Sequence, residues 1–284
     1  PGSWLGGADL TFATSRFKGN RNLLAGAWAL ATRRDGLGGD ASAYGANVSY
    51  PNDRWDIELN LKRIGRDFDP SLGFVPRRAA YLYNATVDNR LLPKNGPLQQ
   101  LQHEFRPFVA TDLSGKWESY RVFFAPINWR LRSADRMEVN VNPTGERLVA
   151  PFEVADGVFI RPGSYHWRRY RLEAGTAQKR RLYTQVTVWT GGFYSGTLQQ
   201  FQWTGAWNPA PLVTVEFSGE RNVGSLAEGR FTQTLLGNRL RLNMSPDLTL
   251  ASYVQYDTVS HSVGVNSRLQ WRFRPVGDLF VVYN

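Results

Sequence analysis

The amino-acid sequence predicts an all-β fold: an antiparallel transmembrane β-barrel, with about sixteen strands in these 284 residues. Three observations lead there. Apolar and polar residues alternate with period two, the alternating segments are long, and turn-forming residues separate them. In Trp55–Leu61 the odd positions are Trp55, Ile57, Leu59 and Leu61, while Asp56, Glu58 and Asn60 hold the even ones. Val263, Val265, Leu269, Trp271 and Phe273 share a phase that only Ser267 interrupts, with Gly264, Asn266, Arg268, Gln270 and Arg272 between them. Met137, Val139 and Val141 alternate in the same way with Glu138, Asn140 and Asn142. Strand side chains point to opposite faces in turn, so each segment has one apolar and one strongly polar face.

A soluble sandwich or propeller also alternates. Segments here often run to 10–13 residues, against about 5–6 in an ordinary strand. Their polar phase carries Glu, Arg and Gln in mid-strand, which suits a wet interior. No apolar run approaches the roughly 18 residues of a membrane-spanning helix, whereas a tilted strand crosses with about 9–11.

In chain order the expected strands are 5–15, 22–33, 41–50, 55–64, 78–88, 98–110, 117–131 and 137–148, followed by 165–173, 181–190, 196–207, 212–222, 230–243, 248–256, 262–274 and 279–284. Every second connection is tight and rich in turn formers: Pro51-Asn52-Asp53-Arg54, Ser133-Ala134-Asp135, Asn208-Pro209-Ala210-Pro211, Ser245-Pro246-Asp247 and Pro275-Val276-Gly277-Asp278. The intervening loops are longer, above all 65–77 and 149–164. Outer-membrane barrels have short periplasmic turns and long outer loops, which orients this one. Tyr50, Trp55, Trp129, Trp207 and Trp271 lie near the tight turns on the apolar phase, as an aromatic girdle at the inner headgroup boundary would.

The chain reads as one domain, 1–284, truncated at both ends. The last segment, Phe280–Asn284, is half a spanning strand, and one more strand at each end would return both termini to the periplasmic side. Pro1–Ala8 lacks the basic start and apolar core of an export signal, so an exported barrel has shed it or begins upstream. Cysteine is absent, which excludes disulfides and thiolate metal sites.

The net charge of +10 comes from Arg, 29 of them against 5 Lys. Nucleic-acid binders gather such charge on a patch or helix face, and here it recurs within alternating strands, so no nucleic-acid partner is expected. By phase the interior-facing cations are Lys62, Arg78, Arg106, Arg121, Arg130, Arg132, Arg169, Arg171, Arg239, Arg241, Arg268, Arg272 and Arg274. Set against inward Asp56, Glu58, Glu104, Glu118, Glu138, Glu173 and Glu216, they leave an excess of six, and a cationic lining favours anions.

No catalytic residues, metal site or cofactor are expected. His103, His166 and His261 lie far apart, Gly-x-Ser-x-Gly is absent, and Gly191–Gly196 has no following lysine or helix. Asp67 and Asp69 could pair as acid and base, but beside Pro70 and Gly73 they suit a turn better.

Phe68-Asp69-Pro70-Ser71-Leu72-Gly73-Phe74-Val75-Pro76-Arg77, with Tyr50-Pro51-Asn52-Asp53-Arg54-Trp55, Pro151-Phe152-Glu153 and the end Pro275–Tyr283, resembles an outer-membrane β-barrel domain that usually follows a family-9-like carbohydrate-binding module. The resemblance implies a periplasmic sugar-binding-like module and further strands upstream, a closing strand downstream, and no catalytic residues to carry over. Three readings follow. The first is a pore or transporter in the bacterial outer membrane for polar, anionic or saccharide solutes. Its rival is a plugged anchor or scaffold that meets lipid and other outer-membrane subunits. The third is a barrel hydrolase, for which no site stands out.

Overall fold

A computed structural model describes residues 2–36, 38–71 and 73–284, so Leu72 of the segment carrying the resemblance lies outside the described residues. It is all-β. The strands are β1 (Ser3–Phe17), β2 (Arg21–Arg34), β3 (Ser42–Pro51), β4 (Trp55–Ile64), β5 (Ala80–Leu91), β6 (Leu98–Asp112), β7 (Trp117–Leu131), β8 (Arg136–Leu148), β9 (Phe152–Ala155), β10 (Val158–Ile160), β11 (Gly163–Gly175), β12 (Leu182–Phe193), β13 (Gly196–Ala210), β14 (Val213–Leu226), β15 (Gly229–Ser245), β16 (Leu248–Asp257), β17 (Ser262–Arg274) and β18 (Gly277–Tyr283). All except β9 and β10 form one antiparallel sheet of sixteen strands, each paired with its neighbours in sequence. The sixteen expected segments correspond to these sixteen strands. The sheet is not closed: β1 pairs only with β2, and β18 only with β17, among the described residues.

Register makes the two faces continuous. In an antiparallel pair, residues directly opposite share a face. Val48 pairs with Leu59, Leu59 with Ala85, and Leu61 with Tyr83. Phe105 pairs with Phe124, Tyr170 with Val141, Val188 with Phe201, and Trp271 with both Leu248 and Leu279. The apolar phase of each strand thereby joins that of the next across the whole sheet. Glu58, Asn140, Arg268 and Arg272 fall on the other phase, as the alternation predicts.

Bulges adjust this register without breaking it. Pro126 sits in the shift between Phe124 and Ile127 of β7, where a residue without an N–H leaves no ladder bond unmade. Asn208-Pro209-Ala210, expected as a turn, instead extends β13 through a register shift after Trp207, and the turn itself is Pro211-Leu212.

The connections sort to two ends. One end holds 18–20, 52–54, 92–97, 132–135, 176–181, 211–212, 246–247 and 275–276 (the turn end). The other holds 35–41, 65–79, 113–116, 149–162, 194–195, 227–228 and 258–261 (the loop end). The expected difference in length rests on 35–41, 65–79 and 149–162, since the loop end also has two-residue turns and the turn end two six-residue ones.

The 149–162 loop holds an element that the alternation did not show, the β9–β10 hairpin. Gly157 turns it at φ 71° and its amide donates to the Glu153 carboxylate at 3.0 Å. Val158 and Ile160 are buried against Leu226, with Leu148, Tyr165, Phe193, Tyr194 and Phe231 around them. Leu148, Tyr165, Leu226 and Phe231 all lie on the polar face, so the hairpin folds over that face at the loop end. The approach is close: a Cβ on Gly229 would come within 3.2 Å of Val158 Cγ2.

Candidate functional site: the polar face and its cavity

The sheet inverts the usual burial rule. Its large exposed side chains include Leu10, Phe12, Val48, Leu59, Phe105, Leu172, Phe201, Trp203, Leu236 and Val263, all on the apolar face. Its buried side chains include Asp88, Gln102, Glu104, Asn140, Asn142, Glu173 and Thr187, all on the polar face. Leu59 is 53% exposed and Asn140 0%. Burying charge is costly unless it is paired and hydrogen-bonded, and this face supplies partners strand by strand.

Two clusters hold the buried charges. Arg106 bridges Asp88 at 2.6 Å and Glu104 at 3.1 Å, and Glu104 accepts from Gln102 at 2.9 Å and Asn128 at 2.8 Å. Farther along, Arg171 bridges Glu138 at 3.0 Å and also Glu173, and Arg136 reaches Glu173 at 2.6 Å. Asn140 donates to Glu138 at 2.6 Å. Among the described residues Arg169 has no carboxylate partner. It donates to the Gln200 side-chain carbonyl at 2.7 Å and lies over the Trp189 ring at 5.2 Å.

Most of the thirteen expected cations fall on this face. Register places Lys62, Arg106, Arg121, Arg130, Arg169, Arg171, Arg239, Arg241, Arg268 and Arg272 there, and Arg274 continues the phase at the end of β17. Two do not belong. Arg78 precedes β5, in the 65–79 loop, where it bridges Asp69 at 3.3 Å. Arg132 is in the 132–135 turn and donates to the backbone carbonyls of Pro93, Lys94 and Gly96.

The expected cationic excess of six shrinks as well. Asp9, Asp88, Asp112, Glu146, Glu220, Asp257 and Asp278 share the polar face, and among the described residues the basic side adds Arg34, Arg90 and Arg136. The phase of Asp88, Glu146 and Glu220 was readable in the sequence. All three lie within the expected strands 78–88, 137–148 and 212–222, and the charge balance leaves them out.

The residual charge is local. A cavity of about 810 Å³ opens on the polar face at the turn end, lined by Arg130, Arg136, Gln185, Thr204, Glu216, Ser218, Arg239 and Tyr253 and roofed by Thr176–Lys179 of the 176–181 loop. That loop is tied down by Asp135, whose carboxylate accepts from the Ser133 hydroxyl at 2.8 Å, the Ala177 amide at 2.8 Å and Arg180 at 2.7 Å. Those contacts, the Ser133 hydroxyl foremost, hold the Asp135 carboxyl below the usual carboxylate range.

On the apolar face, Tyr50, Trp55, Trp129, Trp207 and Trp271 all lie near the turn end. A second aromatic group lies at the loop end and was not singled out from the sequence: Tyr44, Tyr81, Tyr83, Trp117 and Tyr120, with Trp117 and His166 at 4.9 Å between ring centroids. Its signal was the odd phase of β5. Arg33, Arg63, Arg147, Arg168, Arg221 and Arg230 are cations on the apolar face, and all occupy the loop-end part of their strands.

His103, His166 and His261 are not brought together, being in β6, β11 and the β16–β17 turn. Asp67 and Asp69 shape the loops: Asp67 accepts the Asp40 amide at 3.1 Å, and Asp69 accepts the Ser71 amide at 3.0 Å and Arg34 at 2.8 Å. Comparison with protein-family models, with characterised proteins and with solved structures returns no match for this chain.

Proposed function

We propose that this chain forms the wall of a bacterial outer-membrane β-barrel, with its apolar face against lipid and its polar face lining a water-filled interior that admits small polar solutes. The observation that carries this reading is the inversion of burial. A face of exposed Leu, Phe, Val and Trp across sixteen strands is stable only against an apolar medium. Ten-residue β4, at about 3.3 Å per residue and a barrel tilt near 40°, covers roughly 25 Å, the height of an outer-membrane apolar band. Aromatic residues at both ends of the strands, with exposed Arg33, Arg168, Arg221 and Arg230 toward the loop end, suit the two headgroup boundaries. The resemblance to a barrel domain downstream of a carbohydrate-binding module supports the same location.

Cysteine labelling in native membranes tests the assignment. Glu58→Cys reacts with a membrane-impermeant maleimide and Leu59→Cys does not. The reverse pattern sinks it.

A second reading, the plugged anchor, is favoured by one observation: Asn140, Glu104 and Glu173 are buried and the hairpin covers the loop end. Planar-bilayer conductance separates the two, since a plugged wall passes no current.

A further inference from the structure

We propose that the cavity beneath the 176–181 loop binds a small organic oxyanion, a carboxylate or phosphate ester carried on a hydroxylated body. This rests on the polar face being the water-filled side. Arg130 and Arg136 stand directly opposite in register on β7 and β8, and like charges at such a position repel unless an anion lies between or beside them. No carboxylate among the described residues bridges Arg130, and the carboxylates that meet Arg136 and Arg239 are already shared. Glu173 serves both Arg136 and Arg171, and Glu216 serves both Arg239 at 3.4 Å and Arg241 at 3.5 Å. Lys179 adds a further cation from the roof. Of the lining cations, Arg136 is met by Glu173 and Arg239 by Glu216, which leaves Arg130 and Lys179 without a carboxylate among the described residues.

Guanidinium forks match carboxylate and phosphate oxygens, with donors in the right plane for two bonds at once. The remaining lining fits a hydroxylated body: Gln185, Thr204, Ser218, Tyr183 and Tyr253 offer amide and hydroxyl partners. At about 810 Å³ the cavity is in the range of sites for whole small molecules, and a bare inorganic anion leaves most of it to water.

The test is calorimetric titration of the full chain in detergent micelles with glucose 6-phosphate, glucose and inorganic phosphate. Glucose 6-phosphate is expected to bind at least about tenfold tighter than either other probe, with affinity falling as salt rises. Arg130→Gln weakens it about tenfold or more, and Lys179→Gln, on an exposed loop where folding is not at stake, weakens it severalfold. Equal affinity for glucose, or affinity unchanged in both variants, overturns the site. Ser218→Cys separates this from the wider reading. Labelling of that thiol by an impermeant maleimide without phosphate-ester binding overturns the site alone. A thiol unreactive in vesicles but reactive after denaturation overturns the water-filled face itself, and the site with it.

Discussion

At the scale of single residues, charge here is held by partners rather than by solvent. Asp135 anchors both its own turn and the 176–181 loop. Its pKa lies below the unfolded value, so its contribution is complete above the unfolded pKa and is lost as pH falls through the folded one, in a window below about pH 4. Asp135→Asn should mimic that loss at neutral pH, because a neutral amide forfeits the Arg180 ion pair. Hydrogen exchange at the Ala177 amide is expected to rise severalfold in Asp135→Asn at pH 7, and in the unaltered chain only below about pH 4. Equal exchange in the two proteins at pH 7 disproves the anchor.

At the scale of elements, the β9–β10 hairpin covers the polar face at the loop end. It has only three and four residues per strand, too little to hold itself without packing. Docking comes from Val158 and Ile160 against Leu226 and from the aromatic group around Tyr194, whose hydroxyl donates to Glu146 at 2.6 Å and whose ring lies 6.1 Å from Phe152. Truncating Ile160 to Ala removes a fully buried side chain and should weaken docking by about 2–4 kcal/mol. Proteolysis near Gly157 in intact membranes reads this directly. Ile160→Ala should be cut faster than the unaltered chain, and an equal rate means the hairpin is not held by that contact.

At the scale of the whole molecule, the sheet has two faces of opposite character and two unpaired edges, at β1 and β18. Backbone N–H and C=O groups on such edges need hydrogen-bonding partners wherever they meet lipid. Near the β18 edge three cations lie close together on the polar face. Arg268 lies over Phe280 at 4.2 Å, Arg272 meets Asp278 at 3.4 Å, and Arg274 follows in phase. Replacing Arg268, Arg272 and Arg274 together with Gln should lower anion-over-cation preference in planar bilayers severalfold. Unchanged selectivity would place these groups away from any conducting path, and absence of current from intact protein would favour the plugged anchor.

The strands were legible in the sequence because a sheet with one apolar and one polar face imposes period two on every strand: Leu59 and Glu58 could be assigned from their own neighbours. Register is a different kind of information. That Arg130 stands opposite Arg136, that Glu173 is shared by two guanidiniums, and that Arg63 on the apolar phase meets Asp40 from a distant loop depend on how strands far apart in sequence align. Phase alone put Arg78 and Arg132 inside, because alternation says nothing of where a strand stops, and both lie in connections. The β9–β10 hairpin was hidden for a related reason. Its strands are too short for a period to show, and its place is set by apolar contacts with Leu226 and Phe231, which only the folded sheet brings near it. Alternation, length and turn chemistry are local and sufficed for the fold class. Charge pairing, the cavity and the covering of the loop end are products of long-range register, which tertiary structure alone decides.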